Sequence, residues 1–260
     1  MTTRDTPWPD GTPCWVDLMV PDPRMAMDFY GALLGWDFAD QGDEAGNYLL
    51  CSRQGRNVAG IGAIPPDQAG ARAAWTIYLA TSDLAKIVAA ISESGGNIVM
   101  PPMDVMQAGK MAIAADPTGS VFGLWQAVQH TGIQLANVPN SAVWMECITR
   151  DFDRAKGFYG TVFGYEFDDM SAGGYSYAAL KVGGNVVGGL GQMSSEAPAD
   201  VPPHWSVYFG VTDTDAAVAR VGELGGDVVR PPTDSPYGRM STVTDNQGSY
   251  FVLISVTESA

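Results

Sequence analysis

Between Pro13 and Val20 hydrophobic character follows the two-residue period of a strand. Val16, Leu18 and Val20 form one aliphatic face, expected under helices, and Trp15, Asp17 and Met19 form the other. The period then lengthens. Asp22-Pro23 reads as a cap and first-turn proline, and Ala26, Phe29, Tyr30 and Leu33 fall at i, i+3, i+4 and i+7. This predicts a helix to Leu34 stopped by Gly35. A strand around Tyr48 to Cys51, the glycine-rich stretch Gly55 to Gly62 and a strand from Trp75 to Ala80 follow. A second helix is predicted from Ser82-Asp83, with Leu84, Ile87, Val88 and Ile91 on one face and Gly95-Gly96 at its end. Strands near Ile98, from Met111 to Ala115 and from Val121 to Gln126 close the pattern.

The same pattern is then written again. Phe29-Tyr30-Gly31 matches Phe158-Tyr159-Gly160, and Gly35-Trp36-Asp37-Phe38 matches Gly164-Tyr165-Glu166-Phe167, at the offset that carries Trp15 onto Trp144. Asp116, Gly119 and Phe122 fall on Asp245, Gly248 and Phe251 at that same offset. Trp75 to Tyr78 matches Trp205 to Tyr208 one residue further on, so a short insertion was absorbed and later reversed. Two copies are too few for a solenoid. They predict two homologous modules, 11–126 and 141–257, joined by a segment 127–140 without strong periodicity.

Composition narrows the partners. Apolar residues make up 46% of the 260, enough for packed cores. The net charge of −15 repels phosphate backbones and anionic membranes, so no nucleic-acid or membrane partner is expected. The start Met1-Thr2-Thr3-Arg4-Asp5 lacks the apolar core of a signal peptide, which makes a cytoplasmic location the expectation. The three cysteines have no metal-type spacing and read as reduced structural thiols.

Parity on the first strand singles out a duplicated carboxylate. Asp17 lies two residues from Trp15 on one face, and Glu146 stands in the same relation to Trp144. On the inside of a curved sheet such a carboxylate needs a hydrogen bond, a cation or a proton. Lys110 and Arg239, aligned by the repeat, are candidate counter-ions. Two roles stay open for Asp17 and Glu146: a structural carboxylate, or a general base with a raised pKa. Trp15, Trp144, Trp75, Trp205 and Trp125 are candidates to stack on a planar ligand or to fill the core. Tyr48 and Tyr177 are candidate ligand donors or core-packing side chains, and His204 is a candidate proton shuttle or a surface or capping residue. The runs Gly55 to Gly62 and Gly183 to Gly191 lack the ending of a phosphate loop, which leaves close packing or a bend between strands.

The Phe-Tyr-Gly and Gly-Trp/Tyr phrases after a capped first helix, with Asp116-Pro117-Thr118-Gly119 before the last strand, resemble the vicinal oxygen chelate superfamily. That superfamily contains glyoxalase I, extradiol dioxygenases, bleomycin-resistance proteins and fosfomycin-resistance enzymes. The chain is most similar to a two-module actinobacterial branch labelled glyoxalase-like or hydroxylase, some members of which accompany polyketide and other antibiotic pathways. The resemblance implies an α+β fold of tandem paired βαβββ modules whose curved sheets form cups for a small molecule. The superfamily's metal-ligand positions carry over onto Trp15 and Trp144, near Ile77 and Val207, and onto Gly123 and Val252. None of these is a ligand, so no metal and no other cofactor is expected.

The expectation is a monomer or homodimer that binds a small, largely apolar, aromatic or polyketide-like metabolite. Metal-independent acid-base chemistry would use Glu146 or Asp17, with His204 or Arg239 assisting. The second cup is the expected place for it. The rivals are a drug-sequestering resistance protein without chemistry and a metal-dependent lyase or dioxygenase.

Overall fold

The computed structural model describes residues 1–68 and 70–257. In chain order it runs β1 (Thr2–Thr3), β2 (Pro13–Val20), α1 (Pro23–Leu34), β3 (Asp37–Asp40), β4 (Leu49–Arg53), β5 (Arg56–Ala63), β6 (Ala74–Ala80), α2 (Leu84–Glu93), β7 (Asn97–Val105), β8 (Gly109–Ala115) and β9 (Val121–Ala127). The short β10 (Leu135–Ala136) lies in the connecting segment. The second copy is β11 (Ala142–Thr149), α3 (Phe152–Phe163), β12 (Glu166–Asp169), β13 (Tyr177–Val182), β14 (Asn185–Gln192), β15 (His204–Val211), α4 (Thr214–Glu223), β16 (Val228–Ser235), β17 (Gly238–Thr244) and β18 (Tyr250–Ser255).

Each copy makes one eight-stranded mixed sheet, ordered β3-β4-β5-β2-β6-β9-β8-β7 in the first and β12-β13-β14-β11-β15-β18-β17-β16 in the second. Within a sheet, two βαβββ units meet through their first strands. β2 pairs antiparallel with β6, while β2 and β5, like β6 and β9, pair in parallel. The duplicated residues take equivalent places. Asp17 sits between Gly60 and Thr76, and Glu146 between Gly189 and Ser206.

Helix α1 starts where its sequence says. Asp22 caps it by accepting from the Arg24 and Met25 amides, Pro23 opens the first turn, and Gly35 closes it at φ +63°. Ala26, Phe29 and Tyr30 are buried as predicted, but Leu34 rather than Leu33 completes the buried stripe. Val16, Leu18 and Val20 are fully buried on the helix side.

The helix-bearing faces of the two sheets pack on each other. Phe29 of α1 meets Phe251 of β18 at 6.4 Å, and Phe158 of α3 meets Phe122 of β9 at the same separation, so each module completes the other's core. Polar links cross the same interface. Tyr30 donates to Asp245 at 3.0 Å, and Trp36 ties the first module to the end of the connecting segment by donating to the Asn140 carbonyl at 2.8 Å. The cup faces point away from this shared core. The segment 127–140 is no free tether, since Ile133, Leu135 and Ala136 are buried and β10 pairs with β1.

Candidate functional site

The floor of the first cup is built on Asp17. Its Oδ2 accepts from Tyr78 at 3.1 Å and Tyr48 at 3.4 Å, while Oδ1 is buried without a partner. Tyr48 in turn accepts from the Trp15 indole at 3.1 Å. Gly60 makes this possible. A Cβ there would stand 1.8 Å from the Tyr48 hydroxyl, so only glycine lets that ring lie across the strand. Asp17 is 7% exposed, and burial pushes its pKa up to about 7 against the opposing pull of the Tyr78 and Tyr48 hydrogen bonds. Burial first, and then the Asp17 charge, raise the Tyr48 and Tyr78 phenols well above their usual range. Both therefore stay neutral donors.

The second cup repeats this construction with a longer carboxylate. Glu146 Oε2 accepts from Tyr177 at 2.6 Å and from the Trp144 indole at 3.3 Å, and Oε1 accepts from Tyr208 at 2.5 Å. Gly189 plays the part of Gly60, since its Cβ would lie 2.1 Å from the Tyr177 hydroxyl. Tyr175 stacks on Tyr177 at 6.1 Å with its hydroxyl over Gly191, forming a wall. An open depression of about 440 Å³ between Tyr175 and Arg150 adjoins this wall outside the cup.

The two cups differ in access. In the first, Trp15 and Tyr78 are nearly sealed, and His130 from the connecting segment packs edge-on to Trp15 at 4.2 Å and against Trp125 at 5.5 Å. Trp125 holds this segment by donating to the His130 carbonyl at 2.9 Å. Burial lowers the His130 pKa to about 4, and its Nε2 has no partner. In the second cup the matching Trp144 and Tyr208 stay half-buried and Ile254 replaces the indole of Trp125, whereas Tyr177, Ser206, Met240 and Thr242 are half-buried just as Tyr48, Thr76, Met111 and Ile113 are in the first.

Several residues singled out from sequence lie elsewhere. Trp75 pairs with Leu18 on the helix side, where its indole donates to Tyr30 at 3.1 Å; Trp205 does the same to Tyr159 at 2.8 Å. Both therefore belong to the inter-module core and not to a cup. Arg239 is bound to Asp215 at 2.6 Å and Asp234 at 3.0 Å beside α4, and Lys110 to Asp104 at 3.3 Å, so neither is a counter-ion of the cup carboxylates. Phenol and indole protons take that role instead. His204 shares the cup face with Ser206 and Tyr208, but its Nδ1 lies 2.8 Å from the Pro202 carbonyl and no hydrogen bond joins it to Glu146. The structure brings together Asp17, Trp15, Tyr48 and Trp125 in one cup, and Glu146, Trp144 and Tyr177 in the other. Tyr78, Tyr208, Tyr175, Arg230 and His130 were not singled out. Parity could have found Tyr78 and Tyr208, three residues beyond Trp75 and Trp205 and so on the opposite face.

Paired βαβββ units, tandem modules and outward cups define a recognisable class. The chain belongs to the glyoxalase/bleomycin resistance protein/dioxygenase superfamily, whose model matches residues 14–124 and 141–253. It is 38% identical over 249 residues to a putative glyoxylase, CFP32, of Mycobacterium tuberculosis, covering 94% of each chain. It is 34% identical over 262 residues to the anthracycline biosynthesis protein DauV of a Streptomyces species, covering 96% of this chain and 94% of that one. Among solved structures, the Mn(II)-bound glyoxalase of Novosphingobium aromaticivorans superposes with a TM-score of 0.65 at 15% identity, over 99% of this chain and 84% of that one.

The residues present do not suit a divalent metal ion. Among the described residues no three His, Cys, Asp or Glu side chains gather. Each floor offers one carboxylate already engaged by neutral O–H and N–H donors. The first-strand position is a tryptophan, whose only polar atom is a donor, and the last-strand position is Gly123 or Val252. Gly123 is also covered, since a Cβ there would stand 2.1 Å from the Tyr78 ring.

Proposed function

We propose that this protein binds a small, largely apolar aromatic or polyketide-like metabolite in its second cup. The observation that carries this is the contrast between the cups. In the first, His130 packs on Trp15, and Trp15 and Tyr78 are buried, whereas the second keeps the same carboxylate-phenol-indole floor with Trp144 and Tyr208 half-buried. Aromatic walls suit a planar ligand, and the floor presents acceptors to a ligand hydroxyl. A relative named for anthracycline biosynthesis supports a ligand of this class.

Proton transfer at Glu146 is the second reading, favoured by one observation. Oε1 takes a single hydrogen bond, so one acceptor site on it remains for a substrate proton. Glu146→Gln and Asp17→Asn test both readings. The amide that Glu146→Gln introduces would turn an N–H towards a phenol O–H, so this change should weaken binding in the second cup, and turnover if there is any, while Asp17→Asn leaves both nearly unchanged. Binding that persists in both variants without turnover would select sequestration. A larger loss from Asp17→Asn would move the site to the first cup.

A further inference from the structure

The duplication provides an internal control, because two cups on one chain can be compared position by position. Many differences are swaps among apolar groups, such as Met19 for Ile148. His204 in place of Ala74 is not, but its ring is turned to the Pro202 carbonyl. Two adjacent ones on the outer strands are not either. Where the first module pairs Met100 with Ile113 across β7 and β8, the second pairs Arg230 with Thr242 across β16 and β17. Thr242 is itself opposite Val252, which is opposite Tyr208, so Arg230 shares the cup face of the sheet. Residues paired directly across a ladder point to one side.

Arg230 is exposed, and among the described residues no carboxylate lies within ion-pair distance of it, although the chain carries 29 acidic residues. Its charge is felt at Tyr175, on the wall formed by the opposite edge of the sheet. The curved sheet therefore brings an unpaired guanidinium over a cup whose floor holds hydrogen-bond acceptors. A cation at one end and acceptors at the other, with aromatic walls between, is complementary to a polarised ligand.

Resting on the reading of the second cup as the binding site, we propose that its ligand is a planar aromatic bearing a hydroxyl and an anionic group. The hydroxyl donates to Glu146 Oε1, which Tyr208 holds in place, and the carboxylate or acidic enolate is held by Arg230. The first cup, with Met100 and Ile113 at these places, lacks the anion end.

Calorimetric titration at about pH 7 with 6-hydroxy-2-naphthoate and its neutral primary amide tests this. The unsubstituted protein should prefer the acid by about tenfold, the size of one charge-assisted contact. Arg230→Gln should abolish that preference, and Tyr208→Phe should weaken both ligands. Equal affinities for acid and amide, or a preference that survives Arg230→Gln, overturns the proposal and leaves the second-cup reading standing. Failure of both ligands to bind the unsubstituted protein overturns that reading and the proposal with it.

Discussion

Asp17 and Glu146 occupy one position in two copies, yet their surroundings separate them. Glu146 has three donors on two oxygens, whereas Asp17 has both of its donors on Oδ2 and a buried, unpartnered Oδ1. The folded pKa of Asp17, about 7, lies above the 3.8 of an unperturbed aspartate. Between those values the folded state keeps a proton that the unfolded chain has released. The stability Asp17 contributes is thus fully present below about pH 4 and is lost as pH rises to about 7, on the order of 4 kcal/mol at most. His130 works in the opposite sense. Its pKa is lowered from 6.5 to about 4, so its contribution is complete above about pH 6.5 and is lost as pH falls to about 4. Asp17→Asn isolates the first effect: relative to the unsubstituted protein it should gain melting temperature progressively from pH 4 to 7 and stay level above. A difference that is the same at both ends would contradict a raised Asp17 pKa. The carboxylates were legible in the sequence because strand parity places them beside a tryptophan. Their pairing was not: Tyr48 and Tyr177 stood out only as donors to a ligand, and parity gives the face of Tyr78 and Tyr208 but not the strand register that sets them against the carboxylates.

At the scale of elements, glycine decides where a tyrosine can lie. Gly60 and Gly189 leave room for Tyr48 and Tyr177 to cross β5 and β14 and reach the carboxylates. Adding a methyl at either should displace the ring and cost roughly 1–3 kcal/mol, measured by denaturant unfolding. Gly189→Ala should also lose ligand affinity, while Gly60→Ala should not. Gly157 is the contrasting case. It lies on the exposed face of α3, where an added Cβ meets nothing within 4 Å, so Gly157→Ala should stabilise by about 0.5–1 kcal/mol. The glycine-rich stretches were readable as close packing, but not as a groove for a particular tyrosine. The helices were read almost to the residue because their caps are local. Trp75 and Trp205 were read less well: a tryptophan at a strand start carries no mark of which face it takes, and the helix side claimed both.

The whole molecule is held by what the modules lend each other. Tyr30 accepts from Trp75 of its own module and donates to Asp245 of the other, and Phe29 and Phe158 each fill the opposite core. Tyr30→Phe should leave Trp75 and Asp245 each short of a partner, costing about 1–3 kcal/mol. The chain should still melt in one transition, and a fragment ending at residue 128 should expose its aromatic face and aggregate. Two transitions, or a monodisperse first half, would contradict the shared core. The repeat announced two modules; it could not announce that the connecting segment would cover Trp15 in one cup while Trp144 stays half-buried in the other, because His130 meets Trp15 only through tertiary packing. That asymmetry is the central claim, and binding stoichiometry in a matched pair of cup-filling variants tests it most directly. Ser206 lies beside Glu146 and Thr76 beside Asp17 on the equivalent strands. Calorimetry with 6-hydroxy-2-naphthoate should find one molecule per chain, lost in Ser206→Trp and retained in Thr76→Trp. Two molecules per chain, or binding that survives Ser206→Trp and disappears in Thr76→Trp, would contradict it.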